Sequence, residues 1–526
     1  MLRPAIKIEI VAAPDATASL PDAVVEAMHQ QGLPVDAGAR GASGVARTLA
    51  TVIEWLAKEA GLVIEEVVVR EMEEEGHVAV AFPWERRRAS RALGTLAWSL
   101  VAGEHPDVED GLSEIRALLA EPPDAEDLPE MYPEIDRTVP TIGITGTNGK
   151  TTTTRLVASI LRNAGKKVGW TSSAGVVIDE EIVIPGDYTG PSGAARVFAE
   201  PGIDYAVLET ARGGILLRGL GYEHNDVSVM TNISADHMGM HGVHSLEMLT
   251  EVKAVVARVT HPEGFAVLNA DDPRVLSVRE VIVARPFLFS RRQDNPTVVE
   301  HVRSGGWALV VSDGAIVWHH DGVHQHIVTL DEVPITFRGR AEHMVENALA
   351  ATAACLAVGL DAAQVAEGLR KFRNRPDQNR GRLNVYEVDG ATVVVDFAHN
   401  EAGLKHLLQF ARGFCAEGGR LYAVVGTAGD RDDTALKGIA TIAAEQADGV
   451  VIKDTEKYLR GRSAGEMPGI MRGIVGDSLI CMSPNEREGF HRGLELLARG
   501  DVLAVMCIED YDEILAYLDE HGTSLS

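Results

Sequence analysis

A chain of 526 residues is too long for one hydrophobic core and predicts three or four domains. Its 45% hydrophobic and 24% charged content is that of a globular protein. Its net charge of −28, from 49 Lys and Arg against 77 Asp and Glu, argues against nucleic-acid binding, which demands a basic surface. No apolar run reaches the roughly 18 residues of a membrane span. The opening MLRPAIKIEIVAAPDA has no basic start and no long apolar middle, so a cytoplasmic protein is expected.

In chain order, residues 1–120 predict a small α+β domain. AIKIEIVAA and EEVVVREMEEEGHVAVAFPW alternate as strands do, and GVARTLATVIEWLAKEAG has helical apolar spacing with Gly61 as its stop. ERRR, Glu85–Arg88, reads as a solvated charge run. Residues 121–140 are acidic and proline-rich and predict a linker.

From 141 to 374 strands and helices alternate, the pattern of a parallel sheet with crossover helices. DYAVLETARGG, VSVMTNISADH and GFAVLNADD read as strands that end in polar residues, where ligands collect on such sheets. From 375 to 526 a second α/β domain is expected, with strands in ATVVVDFAHN, RLYAVVGTAGDRDD, ADGVVIKD and DVLAVMCIED. The four cysteines, Cys355, Cys415, Cys481 and Cys507, lie in or near apolar runs without metal spacing and are expected to be buried free thiols.

The strongest motif is TIGITGTNGKTTTTR, Thr141–Arg155: a buried strand, a tight glycine turn and an amphipathic helix. That order makes an anion site, because turn amides and the helix N-terminus converge on phosphate oxygens. Lys150 would neutralise outer phosphates and the Thr151 hydroxyl would face Mg²⁺. Glu209, ending a neighbouring strand, could supply the carboxylate that Mg²⁺ favours. Asn232, Asp236, His237 and His241 gather at another strand end, and Lys253 follows in an apolar helix, where a lysine ordinarily snorkels to solvent. WHHDGVHQHIV holds four histidines in eight residues, His319, His320, His324 and His326, which suggests a metal site. Its Asp-Gly between alternating residues favours a plain hairpin.

Together ITGTNGKTTT, the strand-end Glu209, TNISADH with a helical lysine downstream, NADD and DFAHN resemble the Mur ligase superfamily, whose phosphate loop dispenses with the first glycine of the common pattern. GDYTGPSGAARVF, VLETARGGILLRGLG, GRLNV, GDRDD and RGRSAGE are similar to the Mur-like part of the cyanophycin synthetases. Coverage runs from about Thr138 to the C-terminus, with Glu300–Thr329 poorly matched. RTLATVIEWLAKEAG resembles their N-terminal domain, with Trp55 where that family tends to have His. Their ATP-grasp module has no counterpart here.

The resemblance implies a Mur-type central P-loop ATPase domain, a Rossmann-like C-terminal domain, and ATP with two Mg²⁺ ions. Gly146, Thr147, Asn148, Gly149, Lys150, Thr151 and Thr152 would hold phosphates, and Asn269 would lie near the adenine. His343 and Asn347 match a family H-x-x-x-N pattern. Arg382 would reach the γ-phosphate and Asp396 the ribose. Thr151 and Glu209 would bind one metal, and Glu209, His237 and a carbamylated Lys253 the second; Lys150, His237, Lys253 and Arg382 would carry catalysis. The implied activity joins an amine to a carboxylate through an acyl phosphate. Its substrates would be amino acids or short aspartyl peptides, the amine a basic amino acid, in a homo-oligomer. The alternatives are a non-catalytic scaffold serving a separate ATP-grasp enzyme, and a phosphotransferase or simple NTPase.

Overall fold

A computed structural model describes residues 5–13, 15–33, 40–71, 76–122, 137–236, 238–239 and 242–525. The chain divides into two compact units: residues 1–137 with 190–195 and 213–223, and the remainder. Most of the expected linker, and His237 and His241, lie outside the described residues.

The first unit holds β1 (Ala5–Val11), α1 (Asp22–Gln30), α2 (Gly41–Ala60), β2 (Val68–Glu71), β3 (His77–Pro83), α3 (Arg87–Val101) and α4 (Val108–Ala120). Its strands form an antiparallel sheet in the order β1-β3-β2. The apolar stripe of α2, including Leu49, Ile53 and Leu56, packs with Val80 and Phe82 of β3 and Leu93 of α3. Gly61 ends α2 in the left-handed conformation, at φ 75°, as its place in the sequence predicts. The ERRR run is not merely solvated: Arg86 donates to the carbonyls of Leu118 (2.7 Å), Leu119 (3.2 Å) and Glu121 (2.9 Å), satisfying the free end of α4.

The second unit is built on two sheets. It begins with β4 (Thr141–Thr145), α5 (Lys150–Asn163), β5 (Val168–Ser172), β6 (Gly175–Ile178), β7 (Glu181–Pro185) and α6 (Pro191–Phe198). There follow β8 (Tyr205–Glu209), α7 (Arg212–Arg218), β9 (Asn225–Met230), α8 (Leu246–Arg258), β10 (Thr260–Asn269), α9 (Pro273–Ser277), β11 (Arg285–Ser290) and α10 (Pro296–Arg303). Then come β12 (Trp307–Ser312), β13 (Ala315–His320), β14 (Val323–Thr329), α11 (Glu342–Ala357) and α12 (Ala362–Lys371). Residues of α6 and α7 are shared with the first unit.

The larger sheet has eleven strands in the order β14-β13-β12-β11-β10-β9-β4-β8-β5-β6-β7. Its middle, from β12 to β5, is parallel, and antiparallel pairs close both edges. β4 is buried at every residue, as expected of a strand covered on both faces.

The C-terminal portion comprises α13 (Pro376–Asn379), β15 (Asn384–Val388), β16 (Ala391–Asp396), α14 (Glu401–Arg412), β17 (Leu421–Val425), α15 (Asp433–Gln446) and β18 (Gly449–Lys453). It ends with α16 (Glu466–Val475), β19 (Leu479–Ser483), α17 (Glu486–Leu494), β20 (Val502–Met506), α18 (Tyr511–His521) and β21 (Thr523–Ser524). Its seven-stranded sheet runs β19-β18-β17-β20-β16-β15-β21, parallel from β19 to β16. Among the cysteines only Cys355 and Cys507 are buried; Cys415 and Cys481 are half-exposed, because a neighbouring apolar run does not decide which face a side chain takes. Among the described residues no helix is long and apolar enough to cross a membrane.

Candidate functional site

The turn after β4 is shaped by the chain leaving β9. Thr147 N–H donates to the Asn232 carbonyl (2.8 Å), and the Asn232 carboxamide accepts from Asn148 N–H (2.9 Å) and donates to the Asn148 carbonyl (3.1 Å). The Thr231 hydroxyl also donates to that carbonyl, at 2.6 Å. Gly146 and Gly149 have φ of 149° and 86°, where a side chain is strained. A Cβ at Gly149 would lie 2.2 Å from Asn347 Oδ1. Gly149→Ala is therefore expected to cost about 1–3 kcal/mol from its backbone conformation alone, read as a lower thermal midpoint. Adding Asn347→Ala should relieve only the clash.

Gly149 caps α5, so the first residues of that helix face a cavity of about 350 Å³. Lys150, Thr151, Glu209, Asn347, Arg382 and Asp396 all line it. Lys150 Nζ donates to the Thr147 carbonyl (2.8 Å), and the Thr151 hydroxyl donates to Glu209 Oε1 (3.1 Å). Glu209 is 3% exposed and its Oε2 has no hydrogen-bond partner. Burial raises its pKa, against the pull of Lys150. A buried carboxylate with an orphaned oxygen beside a hydroxyl fits a hard divalent cation such as Mg²⁺.

Lys253 does not snorkel. It is 4% exposed, and its Nζ donates to the Gly146 carbonyl at 2.6 Å. Burial, then the charge of Lys150, holds its pKa well below that of an ordinary lysine, with Asp236 opposing. A neutral amine there favours reaction with CO₂ and suits the carbamate that the resemblance implies.

Arg382 and Asp396 come from the smaller sheet. Arg382 packs over the Phe397 ring, 4.5 Å from its centroid, and burial lowers its pKa against the pull of Asp396 and Glu209. Its neighbours Gly381 and Leu383 have φ of 69° and 48°. The Asp396 carboxylate holds that bend by accepting from Leu383 N–H at 2.8 Å. The Asn148 and Asn400 carboxamides bond reciprocally, at 3.1 and 3.3 Å, joining the turn directly to the start of α14.

Asn269 is not brought into this cavity. Its carboxamide is used by the chain, donating to the Thr231 carbonyl (2.9 Å) and accepting from Asp271 N–H (2.9 Å). His343 does line the cavity, stacked on His406 with ring centroids 5.1 Å apart and planes 1° from parallel. Burial, His406 and Arg291 push its pKa down to about 3. Sequence reasoning missed His406, Asn400 and Glu346. Glu346 pairs with Arg291 at 3.0 Å, and burial pushes its pKa up to about 7. Only Asn400 carried a local signal, the polar end of DFAHN before a helix.

Comparison with known proteins accords with this architecture. Residues 144–355 match the Mur ligase middle domain, and 381–507 the Mur ligase, glutamate ligase domain. The chain is 40% identical over 341 residues to a cyanophycin synthetase of Synechocystis sp., a match covering 65% of this chain and 39% of that protein. The chain thus spans about two-fifths of the length of the cyanophycin synthetases it matches. It is 28% identical over 386 residues to the UDP-N-acetylmuramoyl-L-alanyl-D-glutamate--2,6-diaminopimelate ligase of Geobacillus thermodenitrificans, covering 69% of this chain and 72% of that one. Its fold is shared with a bifunctional folylpolyglutamate synthase/dihydrofolate synthase solved with Mn, AMPPNP and L-glutamate, at a TM-score of 0.54 and 20% identity, over 72% of this chain and 89% of that one. With both domain models matched in order on the two sheets that meet at the phosphate-loop cavity, the chain belongs to the Mur ligase family.

Proposed function

We propose that this protein is an ATP-dependent carboxylate–amine ligase, joining an amino acid, a basic one by resemblance, to a carboxyl group of an amino acid or aspartyl peptide. The observation that carries the reading is the convergence of Lys150, Glu209, Lys253 and Arg382, from four separate segments, on one phosphate loop. A simple NTPase has no need of a buried lysine at Gly146 or of an arginine from a further sheet.

The acceptor carboxylate takes the γ-phosphoryl group of Mg²⁺-bound ATP and releases ADP, and the amine then displaces phosphate from the acyl phosphate. Loop amides and Lys150 hold the outer phosphates; Thr151 and Glu209 offer oxygens to one ion. A carbamylated Lys253, with Glu209 and His237, would hold a second ion. Arg382 offsets charge on the transferring group, and Asp396 is the ribose partner. The Asn148–Asn400 bridge ties the phosphate loop to the start of α14, and closure of the C-terminal portion over the nucleotide would exclude water from the activated carboxyl group. A homo-oligomer, and a separate ATP-grasp enzyme as partner, belong to the same reading and are carried by the sequence resemblance alone.

The deciding experiment is phosphate release with ATP and Mg²⁺ across a matrix of amino acids and aspartyl or glutamyl peptides, with mass spectrometry of each positive. Release that needs both an acceptor and an amine, with a product one water lighter than their sum, supports the ligase. ATP binding with silence across the matrix supports the scaffold.

Lys253 has its own test. With ¹³CO₂, a carbamate carbon signal is expected in the parent chain and should be absent in Lys253→Ala. Activity of that variant should fall and be partly restored by a small carboxylate such as formate. Full activity without rescue would remove Lys253 from the machinery.

A further inference from the structure

The histidine-rich segment is a hairpin, and the hairpin itself aligns a pair of metal donors. Asp321 and Gly322 both have positive φ, 49° and 77°, the signature of a two-residue turn that fixes strand register. His320 therefore pairs with Val323, and His319 with His324. Hydrogen-bonded and non-hydrogen-bonded pairs alternate away from the turn, and the second pair is of the kind whose side chains stand closest.

The rings of His319 and His324 meet accordingly, centroids 4.4 Å apart, with their Nδ1 atoms facing each other in direct contact. In the tautomer that places one N–H between them, two imidazole nitrogens so opposed share a proton, and a cation can take that proton's place. On β12 the residue beside His319 is Ala308, whose side chain is a single methyl group. His326 follows His324 by two residues, is exposed, and lies on the same face of the strand. His320 points the other way and is spent on packing, stacked on Trp318 at 3.6 Å between centroids.

We propose that His319 and His324 form a surface site for a borderline divalent transition ion, Zn²⁺, Ni²⁺ or Cu²⁺, with His326 as the third nitrogen. Among the described residues no group of three or more His, Cys, Asp or Glu stands ready to hold a metal. The preformed part is thus a two-nitrogen chelate, which the exposed His326 and solvent complete. Two nitrogens on one ion at about 2.0–2.1 Å each stand roughly 3 Å apart, which a small rotation of the exposed His324 ring provides. Imidazole donors select these ions over Mg²⁺, which demands oxygen ligands, so the site is chemically separate from the phosphate-loop cavity.

The test uses the untagged full chain, because its 18 histidines and any tag would add background. Zn²⁺ is titrated calorimetrically in excess Mg²⁺, and Cu²⁺ is read by electron paramagnetic resonance for the number of coordinated nitrogens. The tightest Zn²⁺ step is expected to weaken by at least roughly tenfold in His319→Ala and in His324→Asn, and by less in His326→Ala. The Cu²⁺ nitrogen count should fall with either of the first two. His324 is exposed, so His324→Asn should melt as the parent does and isolates metal binding from folding. An unchanged tight step in His319→Ala/His324→Asn, or displacement of Zn²⁺ by Mg²⁺, overturns the proposal.

Discussion

Lys150→Ala is expected to lower kcat by roughly 10²–10³, about 3–4 kcal/mol of transition-state stabilisation, as when a preorganised charge donor is removed. Lys150 opens α5 and faces the cavity beside Glu209, whose buried carboxylate feels its charge. Its hydrogen bond to the Thr147 carbonyl is local, so truncation should leave the fold intact. Phosphate release under the substrate pair found in the matrix, with nucleotide affinity and thermal unfolding on the same sample, gives the answer. A kcat within threefold of the parent would mean that phosphate charge is met elsewhere, and the ligase reading would lose its central cation.

Lys453→Met is expected to destabilise the C-terminal sheet by about 3–5 kcal/mol, the usual result of stripping one partner from a buried ion pair. Lys453, ending β18, and Glu486, opening α17, are both fully buried and in direct contact. Glu486 also accepts from the N–H groups of Ile508 (2.8 Å), Glu509 (3.0 Å) and Asp510 (2.8 Å), the turn after β20. One carboxylate thus ties two strand ends to a helix. Burial pushes its pKa up, but Lys453 and those donors outweigh burial, and the net value is depressed. The contribution is therefore complete above the pKa of an unfolded glutamate and is lost as pH falls through the lower folded value. Urea unfolding followed in the C-terminal portion measures the effect. Lys453→Met/Glu486→Gln should recover part of the loss, because no uncompensated charge remains. Equal midpoints for parent and Lys453→Met would show that solvent reaches the pair.

Much of the fold is legible along the chain. The segments read as strands around DYAVLE, VSVM and GFAVLN are β8, β9 and β10, and those in ATVVVD, LYAVV, GVVIK and VLAVM are β16, β17, β18 and β20. Buried parallel strands are written as short apolar runs, so each announces itself. The site is legible in part. Glycines, lysine and threonines of the phosphate loop are contiguous and act through local backbone geometry. Glu209 is marked by the end of its strand. Asn269 shows the limit: a polar residue after a strand reads the same whether it faces a ligand or, as here, closes its own turn.

The sequence by itself determined the local pieces: the strand–turn–helix around Lys150, the apolar strands, and the Asp-Gly turn among the histidines. In each the controlling interactions span only a few residues. Tertiary structure alone decided that Lys253 is buried against Gly146, 107 residues away, rather than in solvent. It decided that Asn400 reaches Asn148 across 252 residues. Those outcomes depend on which faces pack and in what register, and that balance is struck over the whole sheet, beyond the reach of any local window of residues.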